Sequence, residues 1–136
     1  MMAAATRFAV PEPEPDGLTS AEMSRAAGVT KRQLDWWCAR HALRPSLPEA
    51  RWRVYARDQV REVALLRALR EKRVGLAKCK RLLAKVRREN AFARKGACLV
   101  FDAEAKFVRI ETTAAAICDA AREYDGGVFV VGLGAG

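Results

Sequence analysis

Apolar positions along this chain first fall into a regular order at Leu18. Thr19 followed by Glu22, and Thr30 followed by Gln33, are capping-box pairs: a hydroxyl accepts from a backbone N–H three residues on, and the longer side chain returns the bond. They predict a short helix from Thr19 to about Ala27, a break at Gly28, and a second helix to about Ala42. Two short helices capped this close together around a glycine make a helix-turn-helix pattern, which any αα corner shares. With Leu34 placed inward, the helical period sets Trp37, Cys38 and His41 on the same face, and Arg32, Gln33, Trp36 and Arg40 opposite. The first set reads as a core stripe. The second is an aromatic among hydrogen-bond donors, which suits phosphates and base edges.

Beyond RPSLPEA, the alternation Arg51-Trp52-Arg53-Val54-Tyr55 predicts a short β-hairpin with cations on one side, an ordinary surface hairpin or a wing beside the two helices. Asp58 opens a third helix over 58–72, with Val60, Val63, Leu65, Leu66 and Leu69 on a broad apolar face. A fourth runs from about Leu76 to Glu89, with Leu76, Cys79, Leu83 and Val86 as its stripe. The cations around it (Lys78, Lys80, Arg81, Lys85, Arg87, Arg88) read as a solvated face, and Cys79 as core. Then the pattern changes. CLVFDA and KFVRIE predict two strands, TTAAAICDAAREY a capped helix, and GGVFVVGLGAG a third strand, a ββαβ unit too small to hold a core alone. One helix covers one face of three strands, so the other face must pack on a second copy or on the N-terminal domain. The terminal GxGxG precedes no helix and is not read as a phosphate loop.

Charge sharpens this. The 136 residues carry 25 Lys+Arg against 16 Asp+Glu, net +9, unevenly placed. Residues 17–95 hold 21 basic against seven acidic residues, net +14; residues 96–136 hold three against six, net −3. A basic segment of this kind suits a polyanion, whose neutralised phosphates release counterions. The four cysteines (38, 79, 98, 118) form no close pair and His41 is the single histidine, so no metal site and no cofactor is expected. No nucleophile–base pairing is visible, so no enzyme is expected. PEPEPDG, within residues 1–17, reads as a disordered leader. No signal peptide or membrane-spanning run appears, which implies a cytoplasmic protein with reduced thiols and no membrane partner.

From Thr19 to about Arg88 the chain resembles the MerR family of bacterial transcription regulators. AAGVTKRQL is similar to the family's turn and recognition helix. Trp36-Trp37 stands where the family has a Tyr pair, RWRVYARDQV is similar to its wing-to-helix stretch, and LLRALREKRVGLAKCKRLL to its paired helices. RQLDWW…RPSL and the C-terminal LVFD…GGVFVV resemble a subgroup that ends in a compact αβ domain instead of a long dimerising helix. Asp35 stands where most of the family has Arg, as it does in the subgroup; a carboxylate there can pair with Lys31 or Arg32, or accept from a cytosine amine. Arg73 replaces the glycine usual between the third and fourth helices. The long fifth helix is missing, which assigns dimerisation to 96–136.

The expected fold is mainly α: a disordered leader (1–17), a winged helix-turn-helix domain (18–90) and a small ββαβ C-terminal domain (96–136). The expected function is sequence-specific DNA-binding transcription regulation. The resemblance implies a homodimer on palindromic promoter sites, with RNA polymerase as a possible further partner. Arg32, Gln33, Trp36 and Arg40 would lie along the major groove of double-stranded DNA, Thr30 and Lys31 near a phosphate, and Arg51, Arg53 and Tyr55 on the wing. The alternatives are a ligand-sensing regulator whose C-terminal unit binds a small effector, and a helix-turn-helix adaptor for protein interaction.

Overall fold

The computed structural model describes residues 17–46, 53–124 and 126–133. The chain divides into two compact units, 1–63 and 64–136.

In the first unit β1 (Gly17–Thr19) leads directly into α1 (Ser20–Ala27) and, after a tight turn, α2 (Lys31–Ala39). β2 (Val54–Ala56) pairs antiparallel with β1, Leu18 opposite Tyr55, and α3 (Gln59–Glu71) follows. Two expectations change here. Gly17, assigned to the leader, is the first residue of a strand; the rest of that segment lies outside the described residues. The strand foreseen around Val54–Tyr55 takes its partner from Gly17–Thr19, far away in sequence, and not from a local hairpin. Residues 47–52, including Arg51 and Trp52, lie outside the described residues. Leu18, Met23, Ala27, Val29, Leu34, Trp37, Leu43, Val54, Tyr55 and Val63 are among the buried residues of this unit.

Both capping boxes form. Thr19 Oγ1 accepts from Glu22 N at 3.2 Å while Thr19 N donates to Glu22 Oε1 at 2.9 Å. The returned bonds hold the Glu22 carboxyl below its ordinary range. α1 ends at Gly28, whose φ of 70° is the left-handed conformation that glycine adopts without steric penalty. α2 is shorter than its periodicity suggests. It stops at Ala39, and His41 takes a φ of 62°, with His41 N donating to Cys38 O and Ala42 N to Trp37 O. These two bonds make a Schellman closure without glycine. The consequence corrects one assignment: His41 sits in the turn and is exposed, and Ala42 and Leu43 fill the core instead.

In the second unit, the end of α3 closes the same way. Arg73 holds a φ of 62°, Arg73 N donates to Arg70 O and Val74 N to Leu69 O, and Arg70 Nη1 adds a bond to Val74 O at 2.8 Å. An arginine thus takes the left-handed position that glycine usually fills in such a closure. α4 (Leu76–Arg88) buries Cys79, Leu82, Leu83 and Val86 on one face. Burial raises the Cys79 thiol above its ordinary pKa, as expected of a packing residue. A short 3₁₀ turn (Ala91–Ala93) precedes β3 (Cys98–Phe101), β4 (Val108–Glu111), α5 (Ala114–Glu123) and β5 (Phe129–Gly132). The three strands form one antiparallel sheet in the order β4-β3-β5. Leu99 and Phe101 lie on one of its faces, Val100 on the other, and all three are fully buried within the chain. The sheet face that one helix leaves over is therefore not bare at its centre.

The link between β3 and β4 is organised by Asp102. Its Oδ1 accepts from Lys106 N (2.8 Å) and Phe107 N (2.9 Å), and its Oδ2 accepts from the Tyr124 hydroxyl (3.3 Å) at the end of α5. Burial pushes this carboxyl up, but the N–H donors of Phe107 and Lys106 outweigh it, and its pKa lies below the ordinary value. No helix is long and apolar enough to cross a membrane, and no three His, Cys, Asp or Glu residues gather as a metal site among the described residues.

Candidate nucleic-acid interface

The turn between α1 and α2 is fixed from both sides. Gly28 N and Val29 N both donate to Ser24 O, at 3.0 and 3.1 Å, and the Ser24 hydroxyl donates back to Val29 O. Val29 is buried, so the turn is also held by packing. α2 then starts from a second capping box: Thr30 Oγ1 accepts from Gln33 N at 3.0 Å, and Thr30 N donates to Gln33 Oε1 at 2.9 Å. The box uses the oxygen of the Gln33 carboxamide and leaves its NH2 end, a donor, pointing away from the cap. The remaining N–H groups of the first turn give this end of the helix a partial positive charge, to which Lys31 adds.

Along α2 the two faces separate cleanly. Leu34 and Trp37 are fully buried. Lys31, Arg32, Gln33 and Arg40 are exposed and Trp36 half-buried. The Arg40 guanidinium lies 4.5 Å from the centroid of the Trp36 ring, a cation–π arrangement that orders both side chains on the outer face. The adjacent tryptophans therefore do different things. Trp37 packs, with its indole N–H buried and without a hydrogen-bond partner among the described residues; Trp36 belongs to the outer stripe.

Two side chains expected on a wing have other positions. Tyr55 is 0% exposed, and its hydroxyl lies 3.4 Å from Cys38 Sγ on α2. Burial raises its pKa above the ordinary range, so it is a neutral core phenol that locks α2 to β2 and cannot reach a ligand outside. The Arg53 side chain is only 11% exposed, and its Nη1 donates to Asp35 Oδ1 at 2.5 Å. Burial disfavours its charge, but the Asp35 carboxylate beside it favours it, so Arg53 is a fixed cation. Asp35 therefore pairs with neither Lys31 nor Arg32. The non-local partner is the Arg53 guanidinium, largely removed from water, from which the carboxylate accepts a charge-assisted hydrogen bond. The thiol of Cys38 meets the Tyr55 hydroxyl, and no metal-ligand cluster forms around it among the described residues.

Gln59 has no warning in the sequence. It is buried, its Oε1 accepts from Ala56 N at 2.9 Å, and its Nε2 donates to Arg44 O at 3.1 Å. One carboxamide thus ties together the two ends of the segment that carries Arg51. A glutamine at a helix start suggests a cap, but nothing in the local pattern indicates that its amide reaches fifteen residues back.

A capped helix pair around a glycine turn, with the second helix presenting cations, an amide and an aromatic outward, defines a helix-turn-helix of the DNA-binding class. The sequence profile of the MerR HTH family regulatory proteins matches residues 18–86, from β1 through nearly all of α4. The chain belongs to this family of DNA-binding transcription regulators. Regulators of this family are typically non-enzymatic. No curated protein matches the chain.

Proposed function

We propose that this protein is a sequence-specific transcription regulator that binds palindromic promoter sites as a homodimer in the cytoplasm. Residues 18–90 serve as its winged helix-turn-helix DNA-binding domain, and the ββαβ unit at 96–136 serves dimerisation. The observation that carries the reading is the outer stripe of α2. Arg32, Gln33, Trp36 and Arg40 share one solvent-facing side of a helix whose opposite side is locked into the core by Leu34 and Trp37. A helix pinned this way can enter a major groove without reorganising. Arg32 is suited to a guanine edge and Gln33 to an adenine through its NH2 end. Thr30 and Lys31, at the helix start, suit a phosphate.

The segment between α2 and β2 acts as the wing and brings Arg51 to the backbone of the same duplex. Arg53 leaves the contact set because it pairs with Asp35, and Tyr55 because it is buried. On a two-fold site the half-sites lie about one helical turn apart or a multiple of it, and RNA polymerase bound at the promoter is the further partner. The test begins with selection of a bound sequence from random DNA. Arg32→Ala should then cost about 1–3 kcal/mol against the selected site and relax preference at one base position. Lys31→Ala should weaken binding to all sequences alike and flatten the salt dependence. The reading fails if both variants bind the selected site as the parent does at every salt concentration.

A further inference from the structure

The two edges of the C-terminal sheet differ. In an antiparallel strand each residue turns its N–H and C=O to the same side, and successive residues alternate. Leu133 N donates to Ala97 O, which sets the phase of β5: Leu133, Val131 and Phe129 turn their backbone groups toward β3, and Val130 and Gly132 turn theirs outward. On the other side, Asp102 N donates to Phe107 O, and the same count leaves Val108 and Ile110 facing outward from β4. The β4 edge is guarded. Lys106, Arg109 and Glu111 stand along it, and Arg109 is ion-paired to Glu123 at 2.6 Å. Charges at such an edge discourage pairing with another strand. From Gly126 to Leu133 there is no charged side chain at all. Val130 is 44% exposed, the exposed large hydrophobic residue among the described residues, and a Cβ built at Gly132 would meet nothing within 4 Å.

We propose that β5 is the seam of the homodimer: β5 of a second copy lies antiparallel to it, Val130 opposite Val130, and the two sheets join into one of six strands. This rests on the homodimer reading above and gives it a surface. A two-fold axis through the Val130 pair is the arrangement in which the outward N–H and C=O of Val130 satisfy each other. Gly132 then faces Val128 of the partner subunit and leaves room for it. A second copy fits this edge because the strand is its own complement about Val130 and carries no charge to oppose itself. Residues 17–95 carry net +14 and repel their own kind, whereas β5 is neutral and lets two copies approach without like charges meeting. A short seam gives a weak dimer in dilute solution. On a palindrome, where two bound copies face each other at high effective concentration, it becomes cooperative.

The experiment uses the full chain. Mass is measured by light scattering over a range of concentrations, and binding is measured to one half-site and to the whole selected palindrome. Val130→Pro removes only the outward N–H, and Val130→Lys sets two cations opposite each other. Both should retain the parent circular dichroism and half-site affinity, shift the mass to monomer, and lose at least about tenfold in affinity for the palindrome. If the proline variant does not fold, the lysine variant gives the same reading. A Val130→Cys chain should cross-link to its own kind under mild oxidation, and a Val108→Cys chain should not. Unchanged mass and cooperativity in a folded Val130→Lys variant overturn the seam and leave the homodimer standing. Independent, non-cooperative binding of two parent chains to the palindrome overturns the homodimer itself.

Discussion

Tyr55 in the helix-turn-helix and Asp102 in the C-terminal sheet are both buried polar side chains that tie a strand to a helix, and they do it under different rules. Tyr55 is held mainly by shape. Its ring is fully buried, and its hydroxyl, 3.4 Å from the Cys38 thiol, has no anion among its hydrogen-bond partners. Asp102 is held by charge: two backbone N–H groups and the Tyr124 hydroxyl converge on its carboxylate. The first region therefore resists changes of pH but not loss of volume. The second tolerates modest repacking but depends on an ionised oxygen.

That contrast can be broken at several points. The largest effect is expected at Trp37→Ala, which should cost about 3–5 kcal/mol in urea unfolding because it empties a fully buried site. Trp37→Phe should cost far less, since it also removes an indole N–H that lacks a partner. If Phe is as damaging as Ala, shape is not what holds this region. Next is Asp102→Ala, expected to cost about 1–3 kcal/mol by orphaning the N–H groups of Lys106 and Phe107. Because the folded carboxyl has a lowered pKa, its contribution is fully present above the ordinary value of about 3.9 and disappears as pH falls through the folded value. The stability gap between the parent and Asp102→Asn should therefore be constant near neutrality and shrink below about pH 4. A gap that does not vary with pH would place the carboxylate outside the hinge of this region.

Smaller effects sharpen the comparison. Arg73→Gly should raise the thermal midpoint, with a gain of about 0.5–1 kcal/mol, by relieving a left-handed arginine. The gain would be reduced by loss of any bonds the side chain makes, so a fall in stability would mean that those bonds outweigh the strain. Trp36→Ala should change stability by under about 1 kcal/mol, the scale of an exposed cation–π contact with Arg40, while DNA affinity drops. Equal stability losses at Trp36 and Trp37 would erase the distinction between the faces of α2.

Elements governed by nearby residues were legible in the sequence. Capping boxes at Thr19 and Thr30 and the stripe Leu34–Trp37 all depend on partners a few positions apart. What escaped were features set by distant partners or by the exact end of a helix. Val54–Ala56 pairs with Gly17–Thr19, and Asp35 pairs with Arg53, because the fold brings them together; no local pattern encodes either choice. His41 was misplaced because helical periodicity carries no stop signal there: the stop is made by an L-residue in a conformation that usually advertises itself as glycine. Tyr55 looked like one more polar-tipped residue in an alternating strand, and which side of β2 faces inward was fixed only by its pairing with β1.

The clasp between β1 and β2 also has a kinetic meaning. Thr19 pairs with Val54, so both helices of the helix-turn-helix lie inside the loop that these strands close. The entropic penalty of that closure rises with the logarithm of the loop's length, whereas each capping box is satisfied within three residues. Local order therefore comes first and closure later. The β1–β2 clasp is expected to close after the two helices it encloses have formed.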